Sequence, residues 1–225
     1  MGFYAVADGV GGAPGGHIAS RIAVDSAEAF LRAAFSGRPH MPGCFREDTS
    51  ALTRLISLAV TGANTAVYHE SLRVSALSGM GTTFAGALFR DDHLAIAHVG
   101  DSRIYRLRDG ILTQLTEDHS LAQEHFRRGL LSRSELLACD YRNIISRVVG
   151  MEPNVEAAVA EHPVFDGDRY LFCTDGLTNM LTHDEIQGIL AADAFPKTVC
   201  SSFVAAALRA GGQDNVTVVV VVCKR

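Results

Sequence analysis

The sequence predicts an α+β fold, a sandwich of antiparallel sheets covered by helices. Three observations predict it: two consecutive amphipathic helix patterns, a block of short β-rich runs joined by two-residue turns, and a later helix pair before a closing β-branched strand. At 225 residues the chain is sized for one domain whose core needs no disulfide or metal staple. No repeat, linker or low-complexity segment divides it, so residues 1–225 read as one unit.

The first element is an apolar run from Phe3 to Ala7, read as a buried strand that ends abruptly in Asp8. Gly9, Val10, Gly11 and Gly12 follow, and the glycines let the backbone turn sharply and expose a carbonyl. Over residues 17–35, Ile18, Ile22, Ala23, Ala27, Phe30, Leu31 and Ala34 share a helical face. Gly37-Arg38-Pro39 ends that helix. After a loop through Pro42 and Gly43, one of Asp48, Thr49 or Ser50 caps a second helix, whose apolar rhythm runs from Leu52 to Val67 and ends at about His69. Strands are predicted at 82–89, 93–99, 102–108 and 111–115. Asp91-Asp92 and Asp109-Gly110 join them as hairpin turns, and the four read as one antiparallel meander.

Residues 116–150 are a polar excursion with short helices near 121–128 and 132–138, the place for a substrate-contacting flap. Strands near 155–161 and 170–174, helices at 183–191 and 196–210, and a strand over 215–223 complete the chain.

Composition excludes several classes. Charged residues are 20% and apolar residues 48%, with a net charge of −5, so there is no electrostatic footprint for nucleic acid and no basic run for an anionic membrane. The longest apolar-rich run, residues 216–223, is too short to span a bilayer, and no signal peptide or myristoylation pattern is present. The five cysteines (Cys44, Cys139, Cys173, Cys200, Cys223) are odd in number and widely spaced. They read as buried free thiols in a reducing, cytoplasmic setting.

The chemistry lies in four aspartates. Asp8 and Asp175 each end an apolar strand and precede a glycine; Asp101 follows Gly100 between two strands; Asp214 opens the last strand. An Asp-Gly pair at a strand end is ordinarily a turn, and Asp109-Gly110 is read that way. Asp8 and Asp175 differ in the wholly apolar strand before them, which implies burial. A buried carboxylate without a partner costs several kcal/mol. Converging carboxylates need a cation, and oxygen ligands without a His/Cys set select Mg²⁺ or Mn²⁺. His17 and His119 are assigned structural roles. Ser102 and Ser120 lack a base, and no G-x-S-x-G pattern occurs.

Val6-Ala-Asp-Gly-Val-Gly-Gly, Gly79-Met-Gly-Thr-Thr, Val99-Gly-Asp-Ser-Arg-Ile-Tyr, Thr116-Glu-Asp-His-Ser-Leu, Cys173-Thr-Asp-Gly-Leu and Gln213-Asp-Asn-Val-Thr-Val resemble, in order, the motifs of bacterial protein phosphatase 2C enzymes. Arg142-Asn-Ile-Ile-Ser-Arg-Val-Val-Gly is similar to the segment that closes their flap. The resemblance covers nearly the whole chain. It implies a four-layer αββα sandwich, two antiparallel sheets flanked by helix pairs. It also implies hydrolysis of phosphoserine and phosphothreonine in phosphoproteins, Ser/Thr kinases and their substrates among them, by attack of a metal-bridging water or hydroxide.

By the same resemblance, Asp8 bridges two Mn²⁺ or Mg²⁺ ions and the Gly9 carbonyl ligates one of them. Asp175 and Asp214 hold the other, and Asp101 with Asp175 holds a third, weaker ion. Val10 stands where eukaryotic relatives carry a histidine, so leaving-group protonation would fall to a metal-bound water. The family's phosphate-binding arginine and its Asn-Glu-Asp, expected before the first strand, are not in this sequence, so no residue is assigned to the substrate phosphate. Two expectations follow: an open sheet edge at the first strand, and, as the alternative to catalysis, a pseudophosphatase that binds a phosphoprotein or kinase without hydrolysing it.

Overall fold

The computed structural model describes residues 2–10, 15–36 and 50–224. The predicted breaks at Gly11-Gly12 and 37–43, the caps Asp48 and Thr49, and Cys44 lie outside them. The chain runs β1 (Gly2–Val6), α1 (Gly16–Phe35), α2 (Ala51–Arg73), β2 (Phe84–Arg90), β3 (His93–Val99), β4 (Arg103–Arg108) and β5 (Ile111–Gln114). It continues through α3 (Leu121–Arg127), α4 (Arg133–Ala138), β6 (Ala158–Pro163), β7 (Arg169–Cys173), α5 (Asp175–Thr178), α6 (His183–Ala191), α7 (Pro196–Arg209) and β8 (Val218–Val222). Two four-stranded sheets result, β1-β2-β3-β6 and β5-β4-β7-β8, antiparallel throughout.

Burial defines the layers. Ala23, Ala27, Ile56 and Val60 from the first helix pair pack against Phe84 and Leu88 of the first sheet. Ala85, Ile96, Ile104 and Phe172 fill the space between the sheets. Leu171 of the second sheet packs under Ile186, Leu190 and Phe203 of α6 and α7. Each such large side chain removed from water contributes about 1.5–3 kcal/mol. The α+β sandwich is thus the four-layer αββα arrangement.

Local chemistry starts and stops the elements where the sequence indicates. Ser50 caps α2, its Oγ accepting from Thr53 N–H at 3.1 Å. Ser132 and Thr182 form capping boxes with Glu135 and Glu185 at α4 and α6. Asp109 and Gly110 sit at φ 50° and 75°, which matches the right-handed twist of the flanking strands. Asp91 turns the β2–β3 hairpin at φ 54°.

Several expectations are corrected. The four strands after residue 80 are not one meander: β2–β3 is a hairpin of the first sheet and β4–β5 a hairpin of the second. Gly100, at φ 99°, redirects the chain from one sheet to the other. β1 is not fully buried. It is an edge strand in which only Val6 is buried and Tyr4 is exposed, so the expected open edge is there. β8 begins at Val218, which leaves Asp214 in the preceding loop. Asp175 does not merely end a strand; it starts the one-turn helix α5, which the sequence reading missed together with a 3₁₀ turn at Ser75–Leu77. Among the described cysteines only Cys173 is buried; Cys139, at the end of α4, Cys200, within α7, and Cys223, just past β8, are partly exposed.

Candidate metal centre

Asp8, Asp101, Asp175 and Asp214 line one cavity of about 460 Å³ at a single rim of the sandwich. Asp8 arrives on the end of β1, Asp101 on the β3–β4 crossing, Asp175 at the N-terminus of α5, and Asp214 on the loop before β8. Asn143, Ile145, Val148 and Met151 line the same cavity. Sequence reasoning placed all four aspartates correctly at one rim.

The glycine after each key aspartate has a different task from a turn glycine. Gly9 and Gly176 are not among the positive-φ residues. A Cβ on Gly9 would lie 2.2 Å from the Gly16 carbonyl carbon, and one on Gly176 would lie 2.1 Å from the Asn215 carbonyl oxygen. Gly9 therefore lets the Asp8 turn seat against the start of α1, and Gly176 lets the Asp214 loop seat against α5. Gly110, the turn glycine, has nothing within 4 Å of the same position. The expectation of a sharp glycine turn at Gly9 gives way to one of close backbone approach.

The carboxylates are strained electrostatically. Burial pushes the Asp8 carboxyl up to about 7, and repulsion from Asp175 and Asp214 adds to it. The interaction with Asp175 raises the Asp8 carboxyl further and lowers that of Asp175. Asp101 is likewise raised to about 7, by burial first and then by Asp175 and Asp118. Asp175 is raised by burial and Asp214, although Asn179 donates to its Oδ2 at 3.1 Å.

Such a set, all oxygen and mutually repelling, fits a hard divalent cation, which would offset the repulsion. No three Asp, Glu, His or Cys side chains among the described residues close on one point. A Mg²⁺-like ion still fits, since it keeps several waters and takes only one or two carboxylates.

His119 is buried, stacks on His98 with ring centroids 4.7 Å apart, and its Nδ1 accepts from Gly100 N–H at 3.2 Å. Burial, with His98 nearby, pushes its pKa down to about 3, so it is a neutral structural ring, as expected. His17 is an exposed residue at the start of α1. Ser120 caps α3. Arg103 binds Asp118 through paired contacts of 2.8 and 2.6 Å beside the cavity; burial opposes its charge, but Asp118 outweighs that and raises it. The sequence reading missed Thr83, Asn143 and this ion pair. Thr83, Arg103, Asp118 and Asn143 all fall inside motifs it quoted, but residue type alone gave them no task.

A four-layer αββα sandwich with aspartates from both sheets at one rim defines a metal-dependent phosphatase architecture. The comparisons agree: the protein phosphatase 2C family model matches residues 2–210, and the chain belongs to that family. It is 34% identical over 221 residues to the serine/threonine phosphatase stp of Listeria monocytogenes serotype 4b, covering 96% of this chain and 82% of that one. The crystal structure of the Mycobacterium tuberculosis serine/threonine phosphatase PstP/Ppp superposes with a TM-score of 0.86 at 33% identity, over 99% of this chain and 88% of that one. The catalytic domain of PstP in complex with 2 manganese ions gives a TM-score of 0.80 at 33% identity, over 97% and 86%. These relatives support a serine/threonine protein phosphatase, not the pseudophosphatase alternative. No helix among the described residues is long and apolar enough to cross a membrane.

Proposed function

We propose that the chain, acting as one domain with 116–150 as its flap, removes phosphate from phosphoserine and phosphothreonine of phosphoproteins, Ser/Thr kinases and their substrates included. Asp8 and the Gly9 carbonyl, with Asp175 and Asp214, hold two Mn²⁺ or Mg²⁺ ions, and Asp101 with Asp175 holds a third, weaker one. The setting is cytoplasmic signalling. The observation that carries the reading is the convergence of four aspartates, two of them with carboxyls raised to about 7, on one cavity.

When bound, the cations supply a water of lowered pKa for in-line attack and neutralise the phosphoryl oxygens. The chain's own part is placement. Asp8 is held at both backbone atoms: its N–H donates to Thr83 Oγ1 at 2.9 Å and its carbonyl accepts from Thr83 N–H at 2.8 Å. Val10 has no proton to give, so residue 10 takes no part in protonating the leaving serine or threonine.

Phosphate release from a phosphothreonine peptide, with and without added Mn²⁺, tests the proposal. Mn²⁺-dependent turnover that Asp8→Ala abolishes is the expected result. Equal rates for Asp8→Ala and the unaltered chain would falsify it.

A further inference from the structure

We propose that Thr83 and Ser102 are positioning residues, a hydroxyl pair that joins the two sheets under the carboxylate cavity and sets Asp8 and Asp101 relative to each other. The inference rests on the reading of these aspartates as cation ligands.

Thr83 precedes β2 in the first sheet, and Ser102 precedes β4 in the second. Their hydroxyl oxygens are 2.7 Å apart, and each residue is 1% exposed. Thr83 Oγ1 accepts from the Asp8 N–H, which leaves its own proton free for Ser102. Thr83 N–H and Thr82 Oγ1, at 2.8 and 2.7 Å, both donate to the Asp8 carbonyl. Ser102 is covalently next to Asp101. One continuous chain, Ser102–Thr83–Asp8, therefore runs from the second sheet into the first and ends on the backbone of the proposed bridging ligand.

Packing alone does not call for hydroxyls here. Valine at 83 would fill the same space but leave the Asp8 N–H without its acceptor, so the hydroxyl serves the Asp8 backbone rather than the packing. Gly100 adds a second observation. A Cβ there would come within 2.7 Å of Thr83 Cγ2, so the β3–β4 crossing that carries Asp101 lies directly on Thr83. The carboxylates from the two sheets are thus referenced to one residue. Partners that hold a ligand in place typically change metal affinity about 10- to 100-fold when removed.

The test is Mn²⁺ affinity, measured by titration calorimetry on the full chain, for Thr83→Val, Thr83→Ser, Ser102→Ala and Asp8→Ala, with melting followed in parallel. Thr83→Val and Ser102→Ala should each weaken Mn²⁺ binding about 10- to 100-fold. Saturating Mn²⁺ should recover much of their phosphatase rate, and Thr83→Ser, which keeps the hydroxyl, should bind as the unaltered chain does. Folded Thr83→Val and Ser102→Ala proteins with unchanged Mn²⁺ affinity overturn the proposal, whatever their melting temperatures. If Thr83→Val does not fold, Ser102→Ala decides alone. Unchanged binding in Asp8→Ala overturns instead the ligand reading beneath it.

Discussion

Gly176→Ala is a small change with a calculable consequence. The added Cβ would lie 2.1 Å from the carbonyl oxygen of Asn215 and 3.0 Å from its carbonyl carbon. Both are backbone atoms, so no rotamer relieves the clash. Restoring a carbon–oxygen separation of about 3.3 Å requires the loop to retreat by about 1 Å, and Asp214 moves with it. Overpacking of this kind costs about 1–3 kcal/mol, and at this chain length each kcal/mol lowers Tm by about 2–4 °C. A ligand displaced by about 1 Å costs on the order of 100-fold in rate.

The assay is kcat/KM for phosphothreonine peptide against Mn²⁺ concentration, well below the variant's Tm. Gly110→Ala is the control. It lies at φ 75° with nothing within 4 Å of the new Cβ, so it strains the backbone by about 1–2 kcal/mol without touching the cavity. Activity loss and a raised Mn²⁺ requirement are expected for Gly176→Ala alone. Unaltered Mn²⁺ dependence in Gly176→Ala, or an equal loss in Gly110→Ala, refutes the claim that Gly176 seats the Asp214 loop.

Two further outcomes are expected. In the metal-free protein, burial first and then Asp175 and Asp214 push the Asp8 carboxyl up to about 7 from its ordinary 3.8. The folded state binds more protons between those values, so this contribution to stability is lost as pH rises through that window. Asp8→Asn should flatten the fall in metal-free Tm between pH 4 and 7, as read by thermal melts; parallel slopes for the two proteins would sink the idea. Arg108→Ala strips the paired contacts at 2.7 Å from Asp168, which is 1% exposed. It should cost about 3 kcal/mol, the low end for breaking a buried pair, because the Arg108 side is partly exposed. Denaturant unfolding should show that loss while kcat stays unchanged.

The helices and hairpins were legible because their signals are local. Ser50 and Asp109-Gly110 specify a cap and a turn within a few residues. What was not legible is which sheet each hairpin joins. The strand pattern of 82–115 reads alike for one meander or two hairpins, and the difference lies in the single left-handed Gly100. Asp8 and Asp175 could be found because a carboxylate after an apolar run is conspicuous, and Asp101 and Asp214 because each stands close after glycine at a strand boundary. Thr83 and Ser102 stand in quoted motifs, but their pairing was not legible, because it appears only when the two sheets meet. The edge position of β1 was visible only through the family resemblance, since an apolar run looks the same at a sheet's edge as at its centre.

The crossing at Gly100 separates local contacts from distant ones. Each of the two hairpins it connects is closed by a two-residue turn, so both can form from neighbouring residues on the microsecond scale. Neither alone gathers the cavity, whose aspartates come from residues 8, 101, 175 and 214. The loop-closure entropy of those distant contacts is met only when the sheets dock. Until the sheets dock, the four carboxylates are not gathered on one cavity. Divalent cation, by binding only the docked form, would draw the folding equilibrium toward it.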